Sequence, residues 1–159
     1  GGAIEADIFE RDVQGNIIAT KTVRGKSLGH DLAAGGDAGF ISIPIPSGMS
    51  VSVASKASPE TPLKKGDIVQ SIGCGRGENP TVQTIKVTAL NRYLGPDNLE
   101  CSGVPVQGRS GGGLFNQQGF LVGVCAAADS KDQRGLYSGL KSIQELRNKL
   151  IKTPALKRQ

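Results

Sequence analysis

A glycine-rich segment with one serine at its centre, residues 107–115, constrains this chain more than any other stretch. It reads Gln-Gly-Arg-Ser-Gly-Gly-Gly-Leu-Phe, so glycines flank the Arg109–Ser110 pair on both sides. A backbone with this many glycines can turn sharply, adopt positive φ and leave a hydroxyl exposed where a substrate carbonyl could approach. The main-chain N–H groups of Gly108 and Ser110 could then point at one spot, as an oxyanion hole requires.

The residues around Ser110 distinguish two hydrolase architectures from each other and from a plain turn. In α/β-hydrolases a helix follows the serine, and the acid and the histidine come after it. Here a turn at 116–119 leads into the apolar run 120–124, which predicts a β-hairpin, and the only histidine, His30, precedes the serine. A serine in a Gly-rich turn can be a simple turn residue, but these flanks favour a nucleophile in the order histidine, aspartate, serine.

The sequence resembles chymotrypsin-fold serine proteases of the trypsin-like superfamily at two places. Residues 108–112, Gly-Arg-Ser-Gly-Gly, resemble their Gly-x-Ser-Gly-Gly signature, and residues 135–138, Gly-Leu-Tyr-Ser, are similar to the Gly-Val-Tyr-Thr strand that closes their specificity pocket. Arg109 is closer to the bacterial branch, because many trypsins have an aspartate there. The resemblance implies an all-β, two-lobed β-barrel fold with a C-terminal helix. It also implies a serine endopeptidase that acts on protein or peptide substrates without a cofactor or metal.

The pattern of apolar and polar residues predicts short strands separated by turns. The predicted strands cover residues 3–9, 17–23, 38–43, 67–72, 81–93 and 99–101, together with the two arms of the hairpin, 114–115 and 120–124. A capping box at Ser142 and Glu145 predicts a C-terminal helix, and a proline-rich stretch at 44–65 indicates a linker. Residues 73–77 are glycine-rich and follow a strand, as phosphate loops do, but no helix follows them and we interpret them as a turn.

The predicted strands are too few for two complete barrels. The family's first barrel has six strands, and only about three precede the linker here. We therefore expect three regions: a remnant of the N-terminal barrel at residues 1–50, a C-terminal barrel with its terminal helix at 51–153, and a tail at 154–159. The missing strands would leave open edges in the first barrel, which would allow self-association.

Asp37 is the candidate for the triad aspartate that the resemblance implies. It leads directly into a predicted strand, which would hold an orienting carboxylate rigidly. Asp31 matches the family's local sequence better but leads into no strand, and by itself Asp37 also fits a plain turn residue.

The triad histidine is missing from the expected place. His30 lies only seven residues before Asp37 in a predicted loop, whereas the family's histidine precedes the aspartate by several dozen residues, so we do not expect His30 to reach Ser110. We expect the base upstream of Gly1 and predict that this chain alone is inactive. Whether that segment is removed, omitted or not encoded stays open. The competing hypothesis is a non-catalytic homologue that binds peptides or partners in the same groove.

The resemblance also implies a substrate pocket without an acid at its base. Its lining would be Val104, Ala126, Ala128 and Tyr137. Small apolar walls of this kind predict cleavage after a small or medium apolar side chain rather than after Lys or Arg.

Composition argues against other functions. The net charge is +5 and the pI about 9.3, but the basic residues are scattered except near the C-terminus, and Trp is absent, so a nucleic-acid binder is the weakest hypothesis. No run of about 18 apolar residues indicates a membrane span.

The three cysteines, Cys74, Cys101 and Cys125, lack metal-site spacing and leave two options, one disulfide such as Cys74–Cys101 or three free thiols. The compartment is undetermined, and only analogy with the family suggests the periplasm or the extracellular space.

Overall fold

The computed structural model describes residues 3–31, 37–57 and 62–152, with the exception of the side chains of Asp31 and Lys152. The strands are β1 (Ile4–Arg11), β2 (Ile17–Asp31), β3 (Ala38–Ser42), β4 (Ile68–Gly73), β5 (Thr81–Leu90), β6 (Asn98–Ser102), β7 (Gly113–Phe115), β8 (Leu121–Asp129) and β9 (Arg134–Gly139), followed by helix α1 (Leu140–Lys152). The predicted all-β architecture with a C-terminal helix is confirmed. The predicted tail, residues 154–159, lies outside the described part.

The chain forms two compact units. One contains Gly1–His30 and Gly39–Val53, and the other contains Asp31–Ala38 and Ala54–Gln159. The first unit is a three-stranded sheet in the order β1-β2-β3, in which β1 and β2 pair antiparallel from Ile4 opposite Gly25 to Arg11 opposite Ile17.

The hairpin turn of the first unit is fixed by Asp12. Its Oδ1 atom accepts hydrogen bonds from the N–H groups of Gln14 at 2.9 Å and Asn16 at 2.8 Å, and Gly15 has a φ of 87°. This confirms the turn predicted at 12–16. The prediction of a loop around His30 is wrong, because β2 continues to Asp31. The far half of β2 extends beyond its pairing with β1 and has β3 as its other neighbour, a partner that local sequence does not reveal.

The second unit is a closed barrel in the strand order β4-β5-β6-β9-β8-β7. Its interior holds all the buried apolar side chains of the described residues except Leu146 of the C-terminal helix. The core consists of Ala57, Val69, Ile85, Val87, Leu99, Cys101, Leu114, Val122, Cys125 and Tyr137. Among the residues described in the first unit, none has a buried apolar side chain. The folded core of this chain is therefore the core of the second barrel.

Helix α1 is capped from a distant loop. It begins at Leu140, and Asp97 Oδ2 accepts a hydrogen bond from the N–H of Lys141 at 3.0 Å. The Asp97 carbonyl oxygen accepts one from the Ser142 hydroxyl at 3.0 Å. The predicted capping box is therefore wrong, since Ser142 lies inside the first turn and its hydroxyl bonds to Asp97. Within the described residues, no helix is both long and apolar enough to cross a membrane.

Candidate active site

Ser110 lies on a tight turn that a glycine makes possible. The N–H of Arg109 donates to the carbonyl oxygen of Val106 at 3.1 Å, which closes a four-residue turn. Its third residue, Gly108, has a φ of 93°, the value that a type II turn requires there and that glycine adopts without strain. Ser110 follows this turn directly and is exposed.

The residues after Ser110 are bound to strand β8. The N–H of Gly111 donates to the Cys125 carbonyl oxygen at 2.8 Å, and the N–H of Cys125 donates to the Gly112 carbonyl oxygen at 2.8 Å. A further bond, from the N–H of Gly112 to the Arg109 carbonyl oxygen at 2.9 Å, closes a second turn around Ser110. The serine is thus held between two hydrogen-bonded turns. We call the whole segment, residues 106–112, the nucleophile turn, after the role that the sequence predicts for Ser110.

Two main-chain donors beside the serine are unused. In the described ranges, neither the N–H of Gly108 nor that of Ser110 donates a hydrogen bond to a protein atom, and the Ser110 hydroxyl has no protein partner either. Both residues are exposed, so these donors are available to an acceptor from outside. The sequence assigns both donors to an oxyanion hole, and that assignment stays a prediction.

The second glycine-rich segment, residues 73–77, packs against the nucleophile turn. The N–H of Arg76 donates to the Gln107 carbonyl oxygen at 2.8 Å, and the N–H of Glu78 donates to the Gly75 carbonyl oxygen at 2.8 Å. Arg76 itself has a φ of 53°, which is unusual for a residue with a side chain. The segment is a turn, as predicted, but its contact with the serine segment was missed.

Glycines let these segments approach each other closely. A Cβ atom on Gly108 would lie 3.2 Å from the Arg76 nitrogen, and one on Gly73 would lie 3.2 Å from the Gly112 Cα. A Cβ atom on Gly112 would lie 2.6 Å from the Ile72 carbonyl oxygen, a distance that real Cβ atoms do not adopt. The presence of two Gly-rich stretches was the signal in the sequence that could have suggested the contact.

Arg109 extends from the nucleophile turn into the barrel wall. Its side chain is only 4% exposed. The guanidinium donates from Nη1 to the Ser71 carbonyl oxygen at 2.9 Å and to the Thr81 carbonyl oxygen at 3.2 Å, and from Nη2 to the Thr81 hydroxyl at 2.5 Å. In the part of the chain that the structure describes, no carboxylate pairs with it. Sequence reasoning used this residue only as a family marker.

The two candidate triad residues, Asp37 and Ser110, belong to the same unit, whereas His30 belongs to the other. Asp37 is exposed and belongs to the barrel unit, where its main-chain oxygen accepts a hydrogen bond from the Ser138 hydroxyl at 3.1 Å. Ser110 belongs to the same unit. His30 is exposed on β2 of the first unit. The alternative aspartate, Asp31, ends β2, and its side chain is outside the described part.

The four predicted pocket residues differ in accessibility. Val104 and Ala126 are half-buried and Ala128 is exposed, so all three present aliphatic surface. Tyr137 is 2% exposed and lies in the barrel core. Burial raises the pKa of its phenol to about 12. Tyr137 is therefore neutral near pH 7 and offers almost no surface to a ligand in this structure.

All three cysteines are free, so the disulfide considered between Cys74 and Cys101 is not formed. Burial raises the pKa of Cys101 to about 12, and it also raises that of Cys125 against the opposing charge of Arg109. These two thiols are inert core side chains. Across residues 3–31, 37–57 and 62–152, no three His, Cys, Asp or Glu side chains cluster to hold a metal ion.

Comparisons with solved structures give the same fold. The HtrA-type protease AlgW bound to a decapeptide superposes with a TM-score of 0.72 at 21% identity, over 92% of this chain and 45% of that one. The active form of the Rv3671c protease from M. tuberculosis gives 0.71 at 20% identity, over 82% and 60%. A serine endoprotease from Yersinia pestis gives 0.69 at 22% identity, over 92% and 49%.

The chain spans from 45% to 68% of the length of the solved chains it is most similar to. No curated protein sequence matches it significantly. Residues 3–124 match the trypsin-like peptidase domain, and this match includes the nucleophile turn. The chain therefore belongs to the trypsin-like peptidase family and has its chymotrypsin-like fold.

Proposed function

We propose that this chain is the catalytic part of a serine endopeptidase and that Ser110 is its nucleophile. The observation that carries the proposal is the nucleophile turn itself. An exposed hydroxyl stands next to two main-chain N–H groups, of Gly108 and Ser110, that have no protein acceptor in the described residues. A turn that leaves two donors unused beside a hydroxyl is well suited to stabilise an oxyanion.

The proposed reaction is an acyl transfer to Ser110 followed by hydrolysis of the acyl-enzyme. Ser110 Oγ bonds to the scissile carbonyl carbon while a histidine takes its proton, and the N–H groups of Gly108 and Ser110 bind the resulting oxyanion. The carbon–nitrogen bond then breaks and the histidine returns the proton to the leaving amine. Water hydrolyses the acyl-enzyme by the same route and restores the Ser110 hydroxyl.

Asp37 would orient that histidine. In support, the Ser138 hydroxyl holds the Asp37 main chain at 3.1 Å, so the residue is attached to the same barrel as Ser110. A fixed main chain lets a carboxylate keep the imidazole in one orientation and tautomer.

The histidine itself would come from polypeptide outside these 159 residues, upstream of Gly1. The three-stranded sheet supports this, because its apolar side chains Ile4, Ala6 and Ile8 are only half-buried. Strands that carry the histidine would cover this face and complete the barrel. Until it is covered, the open sheet would allow self-association.

The pocket lining would select an apolar side chain. Val104, Ala126 and Ala128 bring no charge to it, and Tyr137, which the sequence also assigned to the lining, is buried in the barrel core. Glu100, the buried carboxylate of this barrel, is already bound to Thr88, Arg92, Tyr93 and Arg134 and is not available to a basic substrate residue. A peptide-library profile dominated by cleavage after Lys or Arg would overturn this assignment.

Fluorophosphonate labelling read by intact mass tests the proposal. The 159-residue chain, the N-terminally extended protein and Ser110→Ala of each are treated in parallel. We expect labelling of the extended protein alone, and its loss in Ser110→Ala. A folded extended protein without labelling would refute the catalytic role and favour a peptide-binding homologue. Labelling of the short chain would show that a base within it, or in a second copy, reaches Ser110.

A further inference from the structure

The residue directly before Ser110 is a buried cation without a counter-charge. Arg109 is 4% exposed, and in the described residues no carboxylate pairs with it. A buried guanidinium is costly unless its N–H groups are bound. The Arg109 guanidinium donates three hydrogen bonds to only two residues, Ser71 and Thr81. Its Nε has no hydrogen-bond partner in the described structure.

The main chain of Arg109 takes part in both turns that enclose Ser110. Its N–H closes the turn from Val106 at 3.1 Å, and its carbonyl oxygen closes the turn to Gly112 at 2.9 Å. The side chain therefore connects the central residue of the nucleophile turn to whatever holds the guanidinium. A shift of Arg109 would move both turns at once.

The guanidinium is held at one end of the β4–β5 hairpin. Thr81 is the first residue of β5, and it pairs with Gly73, the last residue of β4. Gly73 also begins the loop in which the Arg76 N–H binds the Gln107 carbonyl oxygen. The same hairpin end thus holds the nucleophile turn at two points, through the Arg109 side chain and through the Gln107 main chain.

We propose that Arg109 and Thr81 are positioning residues for the reaction. Thr81 binds the Arg109 guanidinium with its hydroxyl and its carbonyl oxygen, and this keeps the Ser110 hydroxyl and the Gly108 N–H in reactive geometry. Neither residue touches the substrate. The inference rests on the proposed role of Ser110, but the anchoring itself can be measured without any activity.

Substitutions of Thr81 separate the anchor from general stability. Thr81 is exposed, so Thr81→Val keeps the shape of the side chain and removes only the hydroxyl that binds Arg109. Thr81→Ser keeps the hydroxyl and is the conservative variant. Thr84→Val is the matched control, since Thr84 is also exposed on β5 and its side chain has no hydrogen bond in the described structure.

Two readouts are needed. The first is hydrogen exchange of the peptide that covers residues 106–113 in the 159-residue chain. We expect several-fold faster exchange in Thr81→Val and little change in Thr81→Ser or Thr84→Val. The second is turnover by the extended protein, where we expect kcat to fall about tenfold with KM nearly unchanged in Thr81→Val, since misplacement of reacting groups by 1 Å can cost about 100-fold. Thr81→Ser should restore kcat.

The outcomes distinguish this inference from the proposed function. Unchanged exchange and unchanged kcat in Thr81→Val would overturn it, as would an equal kcat loss in Thr84→Val, which would indicate a general effect on β5. Faster exchange in Thr81→Val together with no Ser110-dependent turnover in the unmodified extended protein would support the anchor while refuting the proposed function. Arg109→Lys gives a second check, because an ammonium cannot reach Ser71 and Thr81 in the geometry of the guanidinium, and its kcat should fall further than that of Thr81→Val.

Discussion

Removal of the Glu100 carboxylate should destabilise the second barrel more than any surface substitution. The side chain is 2% exposed on β6. It accepts hydrogen bonds from the Thr88 hydroxyl at 2.8 Å, the Tyr93 hydroxyl at 2.9 Å, Arg134 at 3.1 Å and Arg92 at 3.2 Å. These partners come from three separate segments of the barrel, so one carboxylate joins β5, the β5–β6 loop and β9.

The size of the effect follows from the exposure of the partners. Loss of one partner from a buried ion pair costs about 3–5 kcal/mol, because the remaining charge is left unpaired. Arg92 is 50% exposed and Arg134 is 27% exposed, so water can solvate both after the carboxylate is removed. We therefore expect Glu100→Ala to lower the free energy of unfolding by about 2–4 kcal/mol, which is somewhat less than for a fully buried pair. At about 2–4 °C per kcal/mol for a chain of this size, the Tm should fall by about 4–16 °C.

The pH dependence of the free energy of unfolding distinguishes the contribution of the ionised Glu100 carboxylate from that of side-chain packing. Burial alone raises the pKa of Glu100, but the hydrogen bonds from Thr88, Tyr93 and Arg134 outweigh it and leave the pKa below its ordinary value of 4.5. A carboxyl with a lowered folded-state pKa contributes stability that is present above the unfolded-state pKa and is lost as the pH falls through the folded-state pKa. The stability gap between the native sequence and Glu100→Ala should thus be constant at neutral pH and shrink below about pH 4.5.

Urea denaturation at several pH values measures this gap. Glu100→Gln keeps the shape and one acceptor, so its loss at neutral pH should be about half that of Glu100→Ala. A gap below about 1 kcal/mol at neutral pH would refute the reasoning, since that is the size of an exposed pair. A gap that stays equally large in strong acid would show that packing, and not the ionised carboxylate, stabilises this region.

The other predictions concern the turns, the helix and the cysteines. Gly108→Ala forces a side chain to a φ of 93° and places its Cβ 3.2 Å from the Arg76 nitrogen. We therefore expect fluorophosphonate labelling of the extended protein to disappear. Gly15→Ala is the matched control and should label normally, because Gly15 has a similar φ of 87° but no atom within 4 Å of the added Cβ. Asp97→Ala removes the cap of α1 and should lower the free energy of unfolding by about 1 kcal/mol in urea, whereas a change within error would contradict the capping role. Iodoacetamide should modify no more than Cys74 in the native chain and all three cysteines in denaturant, as counted by intact mass; native modification of Cys101, whose pKa is about 12, would contradict its burial.

Local sequence was sufficient for features that depend on local chemistry. The turn at Asp12 was predicted because Asp and Asn side chains form hydrogen bonds with nearby backbone and glycine adopts positive φ without strain. The hairpin after Ser110 was predicted because its strands are separated by a short turn. The end of β2 and the cap of α1 were not predicted, since each depends on a residue far away in the sequence. His30 is on a strand because β2 continues toward β3. Helix α1 begins before the predicted capping box because Asp97, which lies 44 residues before Lys141 in the sequence, caps it.

The site shows the same division between local and distant information. The pentapeptide around Ser110 predicts a nucleophile because its glycines permit the backbone that one requires. What keeps that backbone in place is 28 to 38 residues away, where Thr81 and Ser71 bind Arg109. A glycine pattern can predict that a turn is allowed, but only packing determines that it is populated. A chain with the same pentapeptide but a different β4–β5 hairpin would carry the signature of the nucleophile without the anchor for it, and we would expect its serine to react more slowly.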